Sequence, residues 1–179
     1  ITAYLGTEAA VVIPDTIDGY RVVGFAISAF RFNEDIVSVS IPDNVTRLED
    51  YAFYNCANLT TVNMPASLTY IGNNVFQGTK LTGDTVIPNS VTYIGPYAFY
   101  CCNLTSLVMG SNVETIGNNA FQNNLYMTGD LVIPDSLTYI GPYAFYDCDL
   151  TSLVMGQNVN DIGHNAFQNN QDMRGDLVI

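Results

Sequence analysis

Residues 87–132 read IPNSVTYIGPYAFYCCNLTSLVMGSNVETIGNNAFQNNLYMTGDLV, and residues 133–178 read IPDSLTYIGPYAFYDCDLTSLVMGQNVNDIGHNAFQNNQDMRGDLV. The two stretches are equal in length and agree at most positions, so they are one tandem duplication. Each divides again into two related halves. One half carries Gly-Pro-Tyr-Ala-Phe-Tyr, at residues 95–100 and 141–146; the other carries Asn-Ala-Phe-Gln-Asn-Asn, at residues 119–124 and 165–170. The Ala-Phe pair (once Val-Phe) recurs outward from there, at Phe30, Phe53, Phe76, Phe99, Phe121, Phe145 and Phe167, in steps of 22 to 24 residues.

Each unit has one internal plan. It opens with L-x-x-L-x-M, as in Leu104, Leu107 and Met109, or Leu150, Leu153 and Met155. A Pro or Gly follows, then an apolar pair ending in Ile-Gly, then Ala-Phe, then a small polar or Cys residue three places on. The alternation in Leu-x-Met fits a short strand with one face buried. Pro lacks a backbone donor and ends that strand. Gly after the Ile is expected to supply a positive φ. The span from that Gly to the Phe is too short for a regular helix, which leaves room for one helical or 3₁₀ turn. A single unit cannot bury its apolar stripe, but stacked units bury it between them. The expected fold is therefore a repeat solenoid: a right-handed coil of rungs of about 23 residues with short parallel β-strands, spaced by about 4.8 Å.

The set L-x-x-I-x-I-P, x-x-V-T-x-I-G and x-x-A-F-x-x-C resembles the BspA-like, or Treponema pallidum-type, leucine-rich repeats. Residues 41–56, IPDNVTRLEDYAFYNC, carry it, as do residues 87–102. Val75 departs from the usual Ala, and Asn or Thr replaces Cys in alternate rungs. The resemblance makes residues 1–35 an extended N-terminal repeat, with extra residues around Asp18-Gly19-Tyr20, and residues 36–179 leucine-rich repeats of this type. It implies a cell-surface or secreted bacterial protein, often linked to adhesion. The chain opens at Ile1 without Met and stops at Ile179 while the pattern still runs, so it reads as a fragment with an open C-terminal end.

The charge balance narrows the partners. Seventeen acidic side chains face five basic ones, a formal charge of −12. Nucleic acid is disfavoured, because phosphate binding rests on Lys and Arg. No apolar run approaches the roughly 20 residues of a membrane helix, so this segment is not expected to insert into a membrane. Catalysis has little to stand on. The only histidine, His164, sits where the preceding block has Asn118, and no nucleophile motif, phosphate loop or metal-ligand cluster is present. No cofactor and no metal are expected. The Gly-Asp pairs at Asp84, Asp130 and Asp176 lack the six to eight oxygens of a calcium site. The sequons at Asn44, Asn58 and Asn103 owe their Thr to the repeat pattern.

Three columns remain. Asn33, Cys56, Thr79, Cys102, Asn124, Cys148 and Asn170 share the position three after the Phe and are expected to form a structural ladder satisfying buried backbone groups. Ladder cysteines lie two rungs apart, roughly 9 to 10 Å, beyond disulfide reach, so free thiols are expected, with Cys101 pointing outward. On the strand, Ser40, Asn63, Val86, Val108, Val132, Val154 and Val178 face outward, beside Ser38, Thr61, Asp84, Ser106, Asp130, Ser152 and Asp176. This stripe is either a partner site or simply valine suiting strands. Tyr51, Tyr97 and Tyr143 lie two before the Phe, and Tyr54, Tyr100 and Tyr146 just after it; they either bind or cover gaps between rungs. The expectation is a non-catalytic module that binds a protein or other extracellular macromolecule. The alternative is a structural spacer that displays another domain.

Overall fold

The computed structural model describes Ile1 and residues 3–173. The C-terminal strand expected at Leu177 to Ile179 lies outside the described residues, as do Asp176 and Val178.

The phenylalanines form the axis of the molecule. Phe30, Phe53, Phe76, Phe99, Phe121 and Phe145 are wholly buried, and Phe167 is half-buried. Successive rings stack at centroid distances of 4.8 to 5.5 Å, close to the spacing of paired strands. Ile71, Ile94, Ile116 and Ile140, with the Ala of each Ala-Phe pair, close the core around them.

Two strand columns flank this axis. The first holds three-residue strands: β1 (Ala10–Val12), β4 (Ser38–Ser40), β6 (Thr61–Asn63), β8 (Asp84–Val86), β10 (Ser106–Val108), β12 (Asp130–Val132) and β14 (Ser152–Val154). The second holds two-residue strands: β5 (Arg47–Leu48), β7 (Tyr70–Ile71), β9 (Tyr93–Ile94), β11 (Thr115–Ile116), β13 (Tyr139–Ile140) and β15 (Asp161–Ile162). This second column is one continuous parallel sheet in which each strand pairs with the same position one rung on. Near the N-terminus β2 (Thr16–Ile17) and β3 (Tyr20–Arg21) form an antiparallel hairpin. Asp18 (φ 51°) and Gly19 (φ 81°) make its turn, an Asp-Gly pair with both φ values positive.

The expected helical or 3₁₀ turn is absent: no helix occurs among the described residues. The segment around each Phe does close turns of the i to i+3 kind, as in Ala98 N–H to Gly95 O (3.2 Å) and Tyr100 N–H to Tyr97 O (3.2 Å). It cannot continue as a helix because the residue two before the Phe and the residue two after it are left-handed. Tyr97 (φ 58°) and Cys101 (φ 52°) show this, as do Asn119 (58°) and Asn123 (61°). The freed amides point across the stack: Phe99 N–H donates to Ala120 O at 2.7 Å and Tyr97 N–H to Asn118 O at 2.9 Å.

The glycine after the Ile has a different cause from the one expected. Gly72, Gly95, Gly117, Gly141 and Gly163 are not among the glycines with positive φ. They are needed because the rungs touch there. A Cβ on Gly95 would lie 2.6 Å from the carbonyl carbon of Gly72, and one on Gly141 would lie 2.5 Å from Asn118 N.

The first strand column is also not continuous. β1, β4 and β6 pair in order, then β8 with β10, then β12 with β14. No Cα of β6 lies within 8 Å of β8. The breaks fall where Thr-Gly precedes the strand, at Thr82-Gly83 before β8 and Thr128-Gly129 before β12. Gly83 (φ 81°) and Gly129 (φ 98°) take the left-handed region just before β8 and β12, as a bulge glycine does.

Candidate binding surfaces

The ladder lies inside. Cys56 Sγ donates to Phe30 O at 3.0 Å, Cys102 Sγ to Phe76 O at 3.1 Å and Cys148 Sγ to Phe121 O at 3.2 Å, each to the phenylalanine of the preceding rung. Thr79 donates to Phe76 O at 2.8 Å. Asparagine does more. Asn124 Nδ2 donates to both Phe99 O (2.9 Å) and Phe121 O (2.6 Å), and its Oδ1 accepts from Leu104 N–H. Asn170 repeats this with Phe145 O, Phe167 O and Leu150 N–H. Asn33 reaches Gly6 O and accepts from the amides of Asp35 and Ile36. All four cysteines are free thiols. Burial pushes the Cys56 thiol up to about 11, and those of Cys102 and Cys148 up to about 12, so they are inert at neutral pH. Cys101 is half-buried, and its sulfur accepts from Asn123.

The strand column faces outward. Val86, Val108, Val132 and Val154 are 45 to 56 % exposed. Beside them the acids are tied sideways: Ser106 donates to Asp84 at 2.6 Å, and Ser152 to Asp130 at 2.5 Å. The two breaks in the column open clefts at equivalent places. One, of about 460 Å³, lies between Val62 and Met64 on one side and Asp84, Val86 and Pro88 on the other. The second, of about 390 Å³, lies between Leu107, Val108 and Met109 and the pair Asp130 and Val132. Met64, Met109 and Met155 are accordingly half-buried, where the L-x-x-L-x-M reading placed them inside. Val86, Val108 and Val132, with Asp84 and Asp130, belong to the outward column named from the sequence; the clefts themselves, and their walls at Met64, Pro88 and Leu107, were missed. The signal was Gly83 and Gly129, read there only for calcium. Among the described residues no three His, Cys, Asp or Glu side chains converge on a point that could hold a metal.

The tyrosines come together in pairs. Tyr51 and Tyr54, Tyr97 and Tyr100, and Tyr143 and Tyr146 each meet edge to face, at 5.5 or 5.6 Å and 67 to 71°. The next rung holds two of the phenols: Asn123 donates to Tyr100 OH at 3.3 Å, and Asn169 to Tyr146 OH at 2.9 Å. Burial raises the pKa of Tyr100. His164 is exposed and stands edge-on to Tyr143, 4.9 Å away. The Arg31 guanidinium lies over three rings: Phe32 at 4.5 Å, Tyr54 at 5.1 Å and Tyr51 at 5.7 Å. Arg47 lies 3.8 Å from the centre of Tyr70, which in turn stacks on Tyr93 at 5.0 Å.

A stack of this kind defines a leucine-rich-repeat solenoid with its variable residues on the outside. The chain belongs to the BspA type leucine-rich-repeat family: the BspA type Leucine rich repeat region matches residues 16–128 and 84–174, in 6 copies. Repeats of this class are found in bacterial surface proteins and are generally protein-binding. The fold is similar to a leucine rich cell surface protein from Faecalibacterium prausnitzii, with 30 % identity and a TM-score of 0.83 over 97 % of this chain. This chain spans 48 % of that protein's length. It is also similar to the T. pallidum Leucine Rich Repeat protein, with 28 % identity and a TM-score of 0.63, covering 96 % of this chain and 70 % of that one. A leucine-rich repeat protein from Bacteroides ovatus shares the fold at 23 % identity and a TM-score of 0.53, over 96 % of this chain and 63 % of that one. No curated protein matches the sequence.

Proposed function

We propose that this chain is the non-catalytic, protein-binding segment of a secreted or surface-held bacterial protein, and that it mediates adhesion to host or neighbouring cells. The observation that carries the reading is the exposed valine stripe with its two repeated clefts. Val86 with Val108, and Val132 with Val154, present apolar area to solvent as two registered pairs, and each break in the column adds a concave, partly apolar floor. An apolar stripe with acidic neighbours and recessed pockets is the anatomy of a partner site. The strand pairing does not need these side chains to be apolar, since Ser40 and Asn63 hold the same position in β4 and β6.

The test is a binding assay on whole cells and extracellular matrix with Val108→Asp and Val132→Asp combined. These variants sit in exposed strand positions and should stay folded. Binding should fall about tenfold or more, as for loss of central interface residues. Undiminished binding would remove the strand face from the reading. A parent chain that binds neither cells nor matrix would favour a spacer that only displays another domain.

A further inference from the structure

We infer that the pairs Tyr97–Tyr100 and Tyr143–Tyr146 each take the guanidinium of an arginine on a protein partner. The inference rests on the reading of the chain as a binding module and names the chemistry of a second face. The chain itself shows what such a pair accommodates. Tyr51 and Tyr54 have the same edge-to-face geometry as the other two pairs, and there the Arg31 guanidinium lies over both rings. Arg47 does the same on Tyr70. Two of the chain's few arginines are thus placed on tyrosine faces, where the ring quadrupole attracts a cation.

Among the described residues no arginine or lysine lies over the other two pairs; the exposed His164 ring stands edge-on to Tyr143. The position of Arg31, one after the phenylalanine, is Gln77 in the rung before Tyr97 and Gln122 in the rung before Tyr143. Both amides are held within their own rung, by Asn74 and Asn119. The ring Phe32, over which the Arg31 guanidinium also lies, is replaced by Gly78 and Asn123. Tyr97 is 37 % exposed. The surroundings favour positive charge: the chain carries −12 overall, and Asp147 shares the Asn169 amide with Tyr146 OH. Arginine is preferred over lysine because its planar, weakly hydrated group stacks on rings. The pairs recur every second rung, about 10 Å apart, so one segment in polyproline II conformation, with arginines three residues apart on one side and about 9 Å from each other, reaches both.

The probe is an acetylated peptide with the sequence Arg-Gly-Gly-Arg-Gly-Gly-Arg, compared with its Lys counterpart by fluorescence anisotropy at fixed ionic strength. The two tyrosine rungs are converted to the pattern of their neighbours by Tyr97→Asn with Tyr100→Gln and Tyr143→Asn with Tyr146→Gln. These residues already occupy the equivalent positions 119, 122, 165 and 168, so the fold should persist, which circular dichroism and thermal melting check. The parent should prefer the Arg peptide by roughly threefold or more, and the converted chain should lose about tenfold in affinity. Arg31→Gln should strengthen binding several-fold by freeing the third pair. Equal affinity for the two peptides means charge attraction alone and overturns the assignment. So does a converted, folded chain that binds like the parent, or an Arg31→Gln chain that gains nothing. Any of these outcomes leaves the strand-face reading standing, because the valine variants test it separately.

Discussion

The rung around Phe99 and the rung around Phe121 share a core and differ outside it. Ile94, Ala98 and Phe99 on one side and Ile116, Ala120 and Phe121 on the other are all wholly buried, with the two rings 5.1 Å apart and 3° from parallel. Their backbones agree as well: the residue two before the phenylalanine has φ 58° in both, yet it is Tyr97 in one and Asn119 in the other. The ladder position is Cys102 in one and Asn124 in the other, with two buried bonds, to Phe76 O and the Thr79 hydroxyl, against three. The stack imposes backbone conformation through inter-rung bonds, and the residues that project from it are free to diverge. Divergence outside a constant core is where a repeat protein carries its specificity.

The largest effect expected tests the constant part. Phe99→Ala and Phe121→Ala should each cost about 3 to 5 kcal/mol in urea unfolding, the range for a buried aromatic in a close-packed core. The two losses should agree within about 1 kcal/mol, given the same burial and ring stacking. A clear inequality would break the claim that the two kinds of rung share one core.

The ladder should separate the rungs next. Asn124→Ala leaves the Phe99 carbonyl and the Leu104 amide without their side-chain partner, and Phe121 O with only the Cys148 thiol, and should cost about 2 to 3 kcal/mol. Cys102→Ala removes one weak sulfur donor and little volume, so about 1 kcal/mol is expected. The cysteine rungs also carry a pH dependence that the asparagine rungs lack. Burial holds the Cys102 and Cys148 thiols at about 12, against an ordinary value of 9.0. Above 9 the unfolded chain gives up these protons and the folded chain keeps them, so the unfolded state binds fewer protons and stability falls as pH rises from about 9 towards 12. Urea midpoints should therefore drop between about pH 8 and pH 10 in the parent. The drop should shrink in Cys102→Ala and persist in Asn124→Ala.

Much of this was legible in the sequence because it is periodic. The phenylalanine register, the ladder positions and the outward valine column follow from side chains that recur at one spacing, and the solenoid fold follows from the register. What escaped were features set by contact between rungs. Tyr97 and Cys101 do not announce a left-handed backbone, since Gly, Asn and Asp are the residues that signal one locally; amides bonded to the next rung force it, so the expected helical turn fails. Gly95 looks like a turn glycine and is in fact a contact glycine, because the distance to Gly72 is a property of the stack. The split between β6 and β8 hangs on Gly83, and nothing in the strand residues themselves distinguishes paired from parted neighbours. Arg31 over Tyr51 and Tyr54 joins two rungs whose contact appears only once they are stacked.

The smallest effect expected is the most informative about function. Tyr97→Asn replaces a bulky residue in the left-handed region, where it is an outlier, with one that adopts that region readily. Relief of the backbone should contribute about 1 kcal/mol. Against it stands the lost edge-to-face contact with Tyr100, worth about 0.5 to 1.5 kcal/mol. The two nearly cancel, so the thermal midpoint should move by no more than about 0.5 kcal/mol in equivalent stability, and Tyr143→Asn should behave alike. Such neutrality would mean that folding does not select tyrosine there over the asparagine found at Asn74, Asn119 and Asn165, which leaves contact with a partner as the reason for the ring. A loss above about 2 kcal/mol would mean that the rings seal the seam between rungs, and the difference between the two kinds of rung would then be one of packing.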